Sequence, residues 1–219
     1  MNKTMREQSL ELQEQLKDQV PSEILNVFLE YGEELGRTDF STRARNVGDN
    51  APEFELLDAT GELVSLQKVL KEGSVVLTFY RGIWCPWCNL QLRTLQQLLP
   101  EINKLGANLI AVSPQSPDNT LSMKEKHELT FHVLSDQANK VAEEYGLAFD
   151  IDKKVIEAAY NKIGLSIPYF NGAEDWKIPV TATFIIDQKG IIQSCHVNGD
   201  FRYRQEPSVI IDALKKIIP

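Results

Sequence analysis

The sequence predicts an α/β fold in which a central mixed sheet is flanked by helices and preceded by a short helical extension. Three observations support this class. Residues 75–80 are β-branched and aromatic, which is typical of a strand buried on both faces, and the leucines that follow recur at helical spacing. Residues 180–186 and 191–197 are apolar runs joined by Asp-Gln-Lys-Gly, which indicates an antiparallel hairpin. Two amphipathic helical patterns precede residue 45.

The first 45 residues are predicted to form the helical extension and a linker. Leucines among Glu and Gln over residues 7–17 indicate a polar helix that ends before Pro21. Ser22 is expected to cap a second, amphipathic helix that ends near Gly36. The apolar stripe of that helix needs a cover, which is either the main domain or a second copy of the chain. The main domain is expected over residues 46–219.

A strand, a helix and a second strand form the centre of the main domain. The helix that follows the buried strand is expected to bend or end early at Pro100 and to stop at Gly106. Residues 108–112 form the next predicted strand, so the three elements make a right-handed parallel crossover.

The remaining elements continue the alternation of strands and helices. A hairpin (54–57 and 62–65) and a short helix (65–71) are predicted before the first buried strand. A helix (121–127), a strand (131–134) and a helix (138–145) are predicted after the crossover, and a last helix (208–218) closes the chain. Residues 148–176 are less regular. They are predicted to be an insertion with a helix over residues 155–162 and then a long surface loop.

Cys85 and Cys88 lie where the buried strand ends and the helix begins. The first turn of a helix has unpaired backbone N–H groups and a partial positive charge, which lowers the pKa of a thiol placed there. Sulfurs at i and i+3 share one face of a helical turn and can close a disulfide. Pro86 fits the first turn, where its missing N–H costs nothing. The pattern predicts a redox-active pair, with two buried packing cysteines as the alternative.

A zinc site is the other reading of the cysteines, and it would need four ligands. The further candidates are Cys195, His196, His127 and His132. Cys195 and His196 are adjacent on a predicted strand and point to opposite faces, so they cannot both complete one site. We therefore predict no metal, and we expect Cys195 to be a buried spectator. No flavin, nicotinamide or phosphate-binding motif is present in the sequence.

Composition limits the classes of partner. The 219 residues carry 31 acidic and 23 basic side chains, and the net charge of −8 opposes binding to nucleic acid or to an anionic membrane surface. No apolar run approaches the roughly 20 residues of a membrane span, and no secretory signal is predicted at the N-terminus. Three cysteines, two of them in one motif, favour a reducing cytoplasm in which disulfides are transient.

The order of elements, with a Cys-x-x-Cys pair after a strand and a proline before an antiparallel hairpin, is similar to the thioredoxin fold. In that fold a cis proline lies beside the redox cysteines, and the resemblance assigns this role to Pro179, with an ordinary trans proline at the start of a strand as the alternative.

The sequence Phe-Tyr-Arg-Gly-Ile-Trp-Cys-Pro-Trp-Cys at residues 79–88 resembles, more closely, the peroxiredoxin-like branch of the alkyl hydroperoxide reductase and thiol-specific antioxidant superfamily. Further segments resemble that family at the expected order and spacing: 47–54, 111–115, 133–136, 184–190 and 200–207. The resemblance implies a thioredoxin fold of the peroxiredoxin type.

The same resemblance implies roles for individual residues. It places Cys88 at the peroxide-attacking cysteine, Cys85 where the family has a threonine, and Thr181 where the family has an arginine. The family arginine lowers the thiol pKa and stabilises charge on the breaking O–O bond, so its absence needs a substitute. Arg81 and Arg93 are the nearest cations in sequence, and they are expected either to substitute for it electrostatically or to be solvated surface arginines.

Trp84 and Trp87 flank the sulfurs. They are expected either to pack in the core or to form an apolar rim that admits alkyl hydroperoxides or a partner protein.

Two enzymatic hypotheses follow. The first is a thiol peroxidase that reduces hydrogen peroxide or alkyl hydroperoxides through a reversible Cys85–Cys88 disulfide, recycled by thioredoxin or a similar dithiol. The second is a thiol–disulfide oxidoreductase in which Cys85 attacks a partner disulfide and Cys88 resolves it. Electrostatics at the helix end favours Cys85 as the attacking sulfur, whereas the resemblance favours Cys88. A binding module with vestigial cysteines is a third class, and a homodimer is the expected candidate assembly.

Overall fold

The structure is a computed structural model that describes residues 3–217. Residues 1, 2, 218 and 219, which the predicted domain ranges and the closing helix include, lie outside the described part. The helices are α1 Met5–Leu16, α2 Ser22–Arg37, α3 Leu66–Glu72, α4 Pro86–Lys104, α5 Pro117–Lys126, α6 Lys140–Glu144, α7 Lys153–Val155, α8 Ile167–Asn171 and α9 Pro207–Ile217. The strands are β1 Glu55–Asp58, β2 Leu63–Ser65, β3 Ser74–Phe79, β4 Ala107–Ser113, β5 His132–Ser135, β6 Ala148–Asp150, β7 Lys177–Pro179, β8 Thr181–Ile186 and β9 Ile192–Asn198.

Seven strands form one mixed sheet in the order β2-β1-β5-β4-β3-β8-β9, which confirms the predicted fold class. β3 pairs parallel with β4 and antiparallel with β8, so the strand before the cysteines lies inside the sheet. Every residue of β3 is buried, as its apolar sequence predicts. β3, α4 and β4 form the expected crossover, and β8 and β9 form the expected hairpin.

The helix that follows the cysteines passes through Pro100 instead of ending there. α4 continues to Lys104. Pro100 itself is exposed, whereas Ile102 in the next half turn is completely buried. Burial of residues beyond the proline offsets the lost backbone hydrogen bond. The prediction that the helix ends early at Pro100 was therefore wrong.

The N-terminal helices pack on the rest of the chain. Leu16 and Leu25 belong to the same buried apolar cluster as the two cysteines. Thr4 and Glu7 form a capping box at the start of α1. The apolar stripe of α2 is therefore covered by this chain itself. Ser22 is not the cap that the sequence predicts, because Pro21 occupies the N-cap position and no side chain bonds there. The division near residue 45 stays a prediction.

A loop at residues 200–206 holds the start of α1. The Glu206 carboxylate accepts hydrogen bonds from the backbone N–H groups of Met5 and Arg6 at 2.8 and 3.1 Å. The hydroxyl of Ser9 donates to the carbonyl oxygen of Arg202 at 2.8 Å and is buried. These bonds connect the two ends of the chain.

In the segment 148–176, β6 pairs with β7, and the predicted helix over residues 155–162 is confirmed as a continuous helical stretch made of α7, a π-helical part Ile156–Tyr160 and a 3-10 part Asn161–Ile163. The long surface loop predicted after that helix is wrong, because residues 167–171 form α8. Tyr160 and Ile167 are buried, and the Tyr160 ring packs on Phe28 of α2 with a centroid distance of 5.0 Å. The segment is thus part of the core above the cysteines.

No helix within residues 3–217 combines the length and apolarity needed to cross a lipid bilayer.

Candidate active site

The turn between β3 and α4 fixes the position of both cysteines. Cys85 is the N-cap residue of α4, Pro86 is the first helical residue, and Cys88 lies one turn in, with its N–H donating to the Cys85 carbonyl at 3.0 Å. Proline is well suited to this first position because no helical hydrogen bond requires its N–H. The predicted location at a strand end and helix start is confirmed.

Side chains from α4 and from the loop after β4 hold this turn in place. Gln115 accepts a hydrogen bond from the N–H of Ile83 at 2.7 Å, and Asn89 donates to the Ile83 carbonyl at 2.8 Å. Gly82 has a φ of +150°, and a Cβ there would lie 2.5 Å from Nε1 of Trp84. Glycine is therefore required where the chain leaves β3.

The two sulfurs are in contact and unbonded. Cys85 Sγ and Cys88 Sγ are 2.8 Å apart, against about 2.05 Å in a disulfide. Both cysteines are free. Cys85 is 3% exposed and Cys88 is fully buried. The pair is thus ready to form a disulfide with little movement of the backbone.

Arg204 supplies the cation that the sequence analysis did not find. It lies in the loop of residues 200–206, is 8% exposed, and its Nη2 lies 3.5 Å from Cys88 Sγ. Its Nη1 donates to the hydroxyl of Thr181, the position where the resemblance expects an arginine. A hydroxyl at residue 181 thus holds an arginine brought from a different part of the chain.

Of the two arginines proposed as substitutes, only Arg81 lies at the site. Its backbone N–H and its charge both lower the pKa of Cys88, and the residue is 3% exposed. Arg93 is exposed on α4 and is not among the charges acting on the cysteines, so it is a solvated surface arginine, as one of the two readings expected.

The two thiols have opposite pKa shifts. Burial raises the pKa of Cys88, but the hydrogen bond from Cys85, the Arg204 charge and the N–H and charge of Arg81 outweigh it and lower that pKa to about 6. Burial, together with the neighbouring Cys88 sulfur, raises the pKa of Cys85 well above its ordinary value. The pair therefore shares one proton, which resides on Cys85, and Cys88 is the thiolate.

Pro179 does not have the geometry that the resemblance implies, because no peptide bond in residues 3–217 is cis. Pro179 ends β7, where it pairs with Ala148, and extended trans backbone carries the chain on to β8. The trans form is the lower-energy isomer, and nothing in this strand geometry requires the other.

Trp84 and Trp87 line a cavity of about 170 Å³ together with Cys85, and we call this cavity the chamber. Its remaining apolar wall comes from the N-terminal helices and from the segment 148–176, through residues such as Leu25, Phe28 and Leu165. Trp87 is also buried against Phe201 at a ring centroid distance of 5.1 Å. The tryptophans thus both pack and form an apolar surface beside a sulfur.

Cys195 lies on β9 and is half-buried, with a pKa raised mainly by burial. It pairs across the sheet with Phe184, whereas the adjacent His196 pairs with Thr183. Among residues 3–217 no group of three or more His, Cys, Asp or Glu side chains is arranged to hold a metal ion.

A thiolate and a thiol on one helical turn, held at the end of a central strand, define a dithiol redox protein with a thioredoxin fold. More specifically, the chain belongs to the AhpC/TSA family, whose sequence model matches residues 47–195. The resemblance given by the motifs at residues 79–88 is therefore confirmed.

Curated relatives are peroxiredoxins. The chain is 32% identical to putative peroxiredoxin bcp of Coxiella burnetii, over 68% of this chain and 85% of that protein. It is 28% identical to peroxiredoxin Bcp of Escherichia coli strain K12, over 77% of this chain and 95% of that protein. With chloroplastic peroxiredoxin Q of Populus jackii it shares 27% identity over 79% of this chain and 68% of that protein.

Solved structures share the fold. Peroxidoxin BcpB of Mycobacterium tuberculosis aligns with a TM-score of 0.60 at 21% identity, covering 78% of this chain and 97% of that one. A peroxiredoxin-like protein of Aquifex aeolicus aligns with a TM-score of 0.63 at 17% identity, covering 80% and 89%.

Proposed function

We propose that this protein is a thiol peroxidase that reduces hydrogen peroxide or alkyl hydroperoxides with Cys88 as the attacking sulfur and Cys85 as the resolving one. The observation that carries the proposal is the contact of Arg204 with the Cys88 sulfur, 3.5 Å away in a buried site. A guanidinium at this distance favours the thiolate and stabilises negative charge on the oxygen that leaves a breaking O–O bond.

The reaction has two chemical steps. The Cys88 thiolate attacks the terminal oxygen of ROOH, the O–O bond breaks, and the alkoxide leaves as ROH after taking up a proton, so that Cys88 becomes a sulfenic acid. The Cys85 thiol then attacks the sulfenic sulfur, a disulfide forms and water leaves. With a pKa of about 6, Cys88 is roughly 90% thiolate at pH 7.

Peroxide access requires a small rearrangement. Cys85 contributes to the wall of the chamber, whereas Cys88 does not. A peroxide in the chamber therefore meets Cys85 first, and rotation of its side chain about χ1 opens the path to the Cys88 sulfur 2.8 Å behind it.

The surrounding residues have supporting roles in this proposal. Thr181 orients Arg204 through its hydroxyl, Pro86 fixes the first turn of α4, and Arg81 adds positive charge near Cys88. Pro179 acts only as the end of β7.

The alternative, attack of Cys85 on a partner disulfide, is less well supported. The pKa of Cys85 is raised by burial, so its sulfur is held as a thiol. Cys85 is 3% exposed and lies in the wall of the chamber of about 170 Å³, so its sulfur is poorly placed to meet the disulfide of a partner protein.

Turnover requires a reductant for the disulfide. A thioredoxin-like dithiol would regenerate the two thiols by thiol–disulfide exchange, and a reducing cytoplasm is the compartment in which three free cysteines persist. We also retain the homodimer as a proposal, because β9 is an edge strand of the sheet and, within the described residues, only the backbone of its first residue, Ile192, bonds to residues 48 and 49.

Three cysteine variants test the assignment. With the reduced protein and hydrogen peroxide, Cys88→Ser is expected to lose reactivity by a factor of about 10³ or more, since the activated nucleophile is gone. Cys85→Ser should react once and retain a sulfenic acid at residue 88, detected by mass spectrometry after dimedone trapping.

Cys195→Ser is the matched control and should behave as wild type, because Cys195 lies on β9, whereas the pair lies at the start of α4. Peroxide consumption by wild type at the rate of Cys195 alone, measured in the Cys85→Ser/Cys88→Ser double variant, would refute the peroxidase proposal.

A further inference from the structure

Arg81 is the one charged residue among those that line the chamber. Arg81 is 97% buried, since only 3% of its surface is exposed. Its guanidinium carbon lies 4.4 Å from the ring centroid of Phe201 and 5.9 Å from that of Phe149, so two aromatic rings flank it. These contacts satisfy none of its N–H donors in the plane of the group.

The guanidinium of Arg81 has no protein partner in the described chain. None of the ion pairs of residues 3–217 involves Arg81, and none of their side-chain hydrogen bonds is donated by it. A buried, unpaired cation is unfavourable by several kcal/mol. A partner that enters the chamber from solvent would remove this cost.

Charges around the sulfurs also favour an anion. Arg81 and Arg204 are both buried, and Arg204 likewise forms no ion pair with a carboxylate of residues 3–217. The nearby Asp200 is already paired with Arg202 at 2.7 Å. Two guanidinium groups therefore face a single thiolate, and one positive charge stays uncompensated.

The rest of the chamber specifies an apolar group of limited size. Its wall consists largely of aliphatic and aromatic side chains, among them Leu16, Leu25, Phe28 and Ile163. A dry cavity of about 150 Å³ with such a lining holds benzene. At about 170 Å³ the chamber has room for one phenyl ring or a chain of about six carbons.

We propose that the chamber is a substrate-binding site for a carboxylate-bearing apolar hydroperoxide, with the carboxylate on Arg81 and an apolar group of phenyl size against α1, α2 and the segment 148–176. That the ligand is a hydroperoxide rests on the proposed peroxidase function. That it carries a carboxylate and an apolar group rests on the chamber alone. Arg81 is thereby a specificity-determining residue, and the N-terminal helices, which lie outside the family match at residues 47–195, supply part of the site.

Binding can be measured without turnover. Phenylacetate and its neutral isostere 2-phenylethanol are titrated calorimetrically into the full-length reduced protein at pH 7. Phenylacetate is expected to bind about tenfold more tightly or better, because a bidentate guanidinium–carboxylate pair forms in an apolar site. Equal affinity of the two compounds for wild type would overturn the proposal, and this comparison needs no variant.

Variants then assign the effect to one side chain. Arg81→Met should abolish the preference for phenylacetate, while its backbone N–H to Cys88 is preserved. Arg93→Met, an arginine removed from the exposed face of α4, should bind as wild type does. Retention of the preference in Arg81→Met would assign the anion to another residue and overturn the proposal.

The outcome separates the two proposals. If cumene hydroperoxide is turned over but phenylacetate neither binds preferentially nor slows that reaction, the chamber proposal fails and the peroxidase stands. If phenylacetate binds through Arg81 and no hydroperoxide is consumed, the ligand class stands and the peroxidase fails.

Discussion

The surroundings of the two sulfurs differ although they are one helical turn apart. Cys88 faces Arg204 and the N–H of Arg81, and its pKa is lowered to about 6. Cys85 faces the apolar chamber, and burial raises its pKa. The helix-end argument favours Cys85 as the thiolate, but the pKa shifts have the opposite order. The difference shows that tertiary contacts from remote segments decide which sulfur is the thiolate.

Arg204→Met should have the largest effect on this difference. Loss of the cation is expected to raise the pKa of Cys88 from about 6 toward the ordinary thiol value, and to slow its reaction with hydrogen peroxide about 10²-fold at pH 7. Because the thiolate is the reactive form, the wild-type rate should rise with pH and reach half its plateau near pH 6. The variant should reach that point more than one pH unit higher.

The control for this change is Arg93→Met, whose pH profile should coincide with that of wild type because Arg93 is exposed and does not act on the pair. An unchanged thiolate absorbance titration at 240 nm in Arg204→Met would contradict the comparison drawn between the two sulfurs.

Thr181→Val should have an intermediate effect. The hydroxyl of Thr181 accepts a hydrogen bond from Arg204 and is buried, so its removal leaves the guanidinium less well oriented. We expect the peroxide rate constant to fall about fivefold to tenfold, in line with loss of a hydrogen bond to a charged group. The pKa of Cys88, measured by the same titration, should rise by less than in Arg204→Met.

Thr181→Ser retains the hydroxyl and is expected to restore most of the rate. A loss in Thr181→Ser as large as that in Thr181→Val would mean that packing of the methyl group, and not the hydrogen bond, is the important contact.

Trp87→Phe should have the smallest effect, because it changes only the apolar side of the pair. The indole N–H of Trp87 is buried without a hydrogen-bond partner in the described residues, and a phenyl ring still packs on Phe201. The free energy of unfolding, measured by urea denaturation, should change by about 1 kcal/mol, and the Cys88 titration should stay near pH 6. A shift of that titration by a full unit would show that the chamber side also sets the pKa.

Local sequence was sufficient to predict the strand, the turn and the placement of the cysteines. The apolar run at residues 75–80 and the leucine spacing after residue 88 each span a few residues, and each is a strong signal of one element. Pro86 at the first turn of the helix and Gly82 at a position with positive φ are likewise set by the local backbone. Tertiary contacts do not alter such choices.

Arg204 could not be found in this way. It is separated from Cys88 by 116 residues, and it lies in a loop with no periodic pattern. The one signal was the resemblance of residues 200–207 to the family, which indicated that this segment matters but not what it touches. Of the two arginines near the cysteines in sequence, Arg81 acts on the pair, whereas Arg93 is a solvated surface residue.

The sequence indicated the two tryptophans of the chamber but not the rest of its wall, for a similar reason. Its wall combines α1, α2, the turn before α4 and the segment 148–176, and only the fold brings these together. The helical residues 155–162 were predicted, but the surface loop expected after them was not borne out: residues 167–171 form a short helix in which Ile167 is completely buried.

The loop of residues 200–206 has one further consequence. Arg202 and Glu206 hold α1, while Arg204, which lies between them, holds the Cys88 sulfur. In a variant that begins after α1, the loop would lose its contacts with α1, and the Arg204 guanidinium would no longer be held next to the Cys88 sulfur. Deletion of an element that contributes no reacting atom should therefore make Cys88 a weaker acid, so the length of the expressed chain determines the measured chemistry.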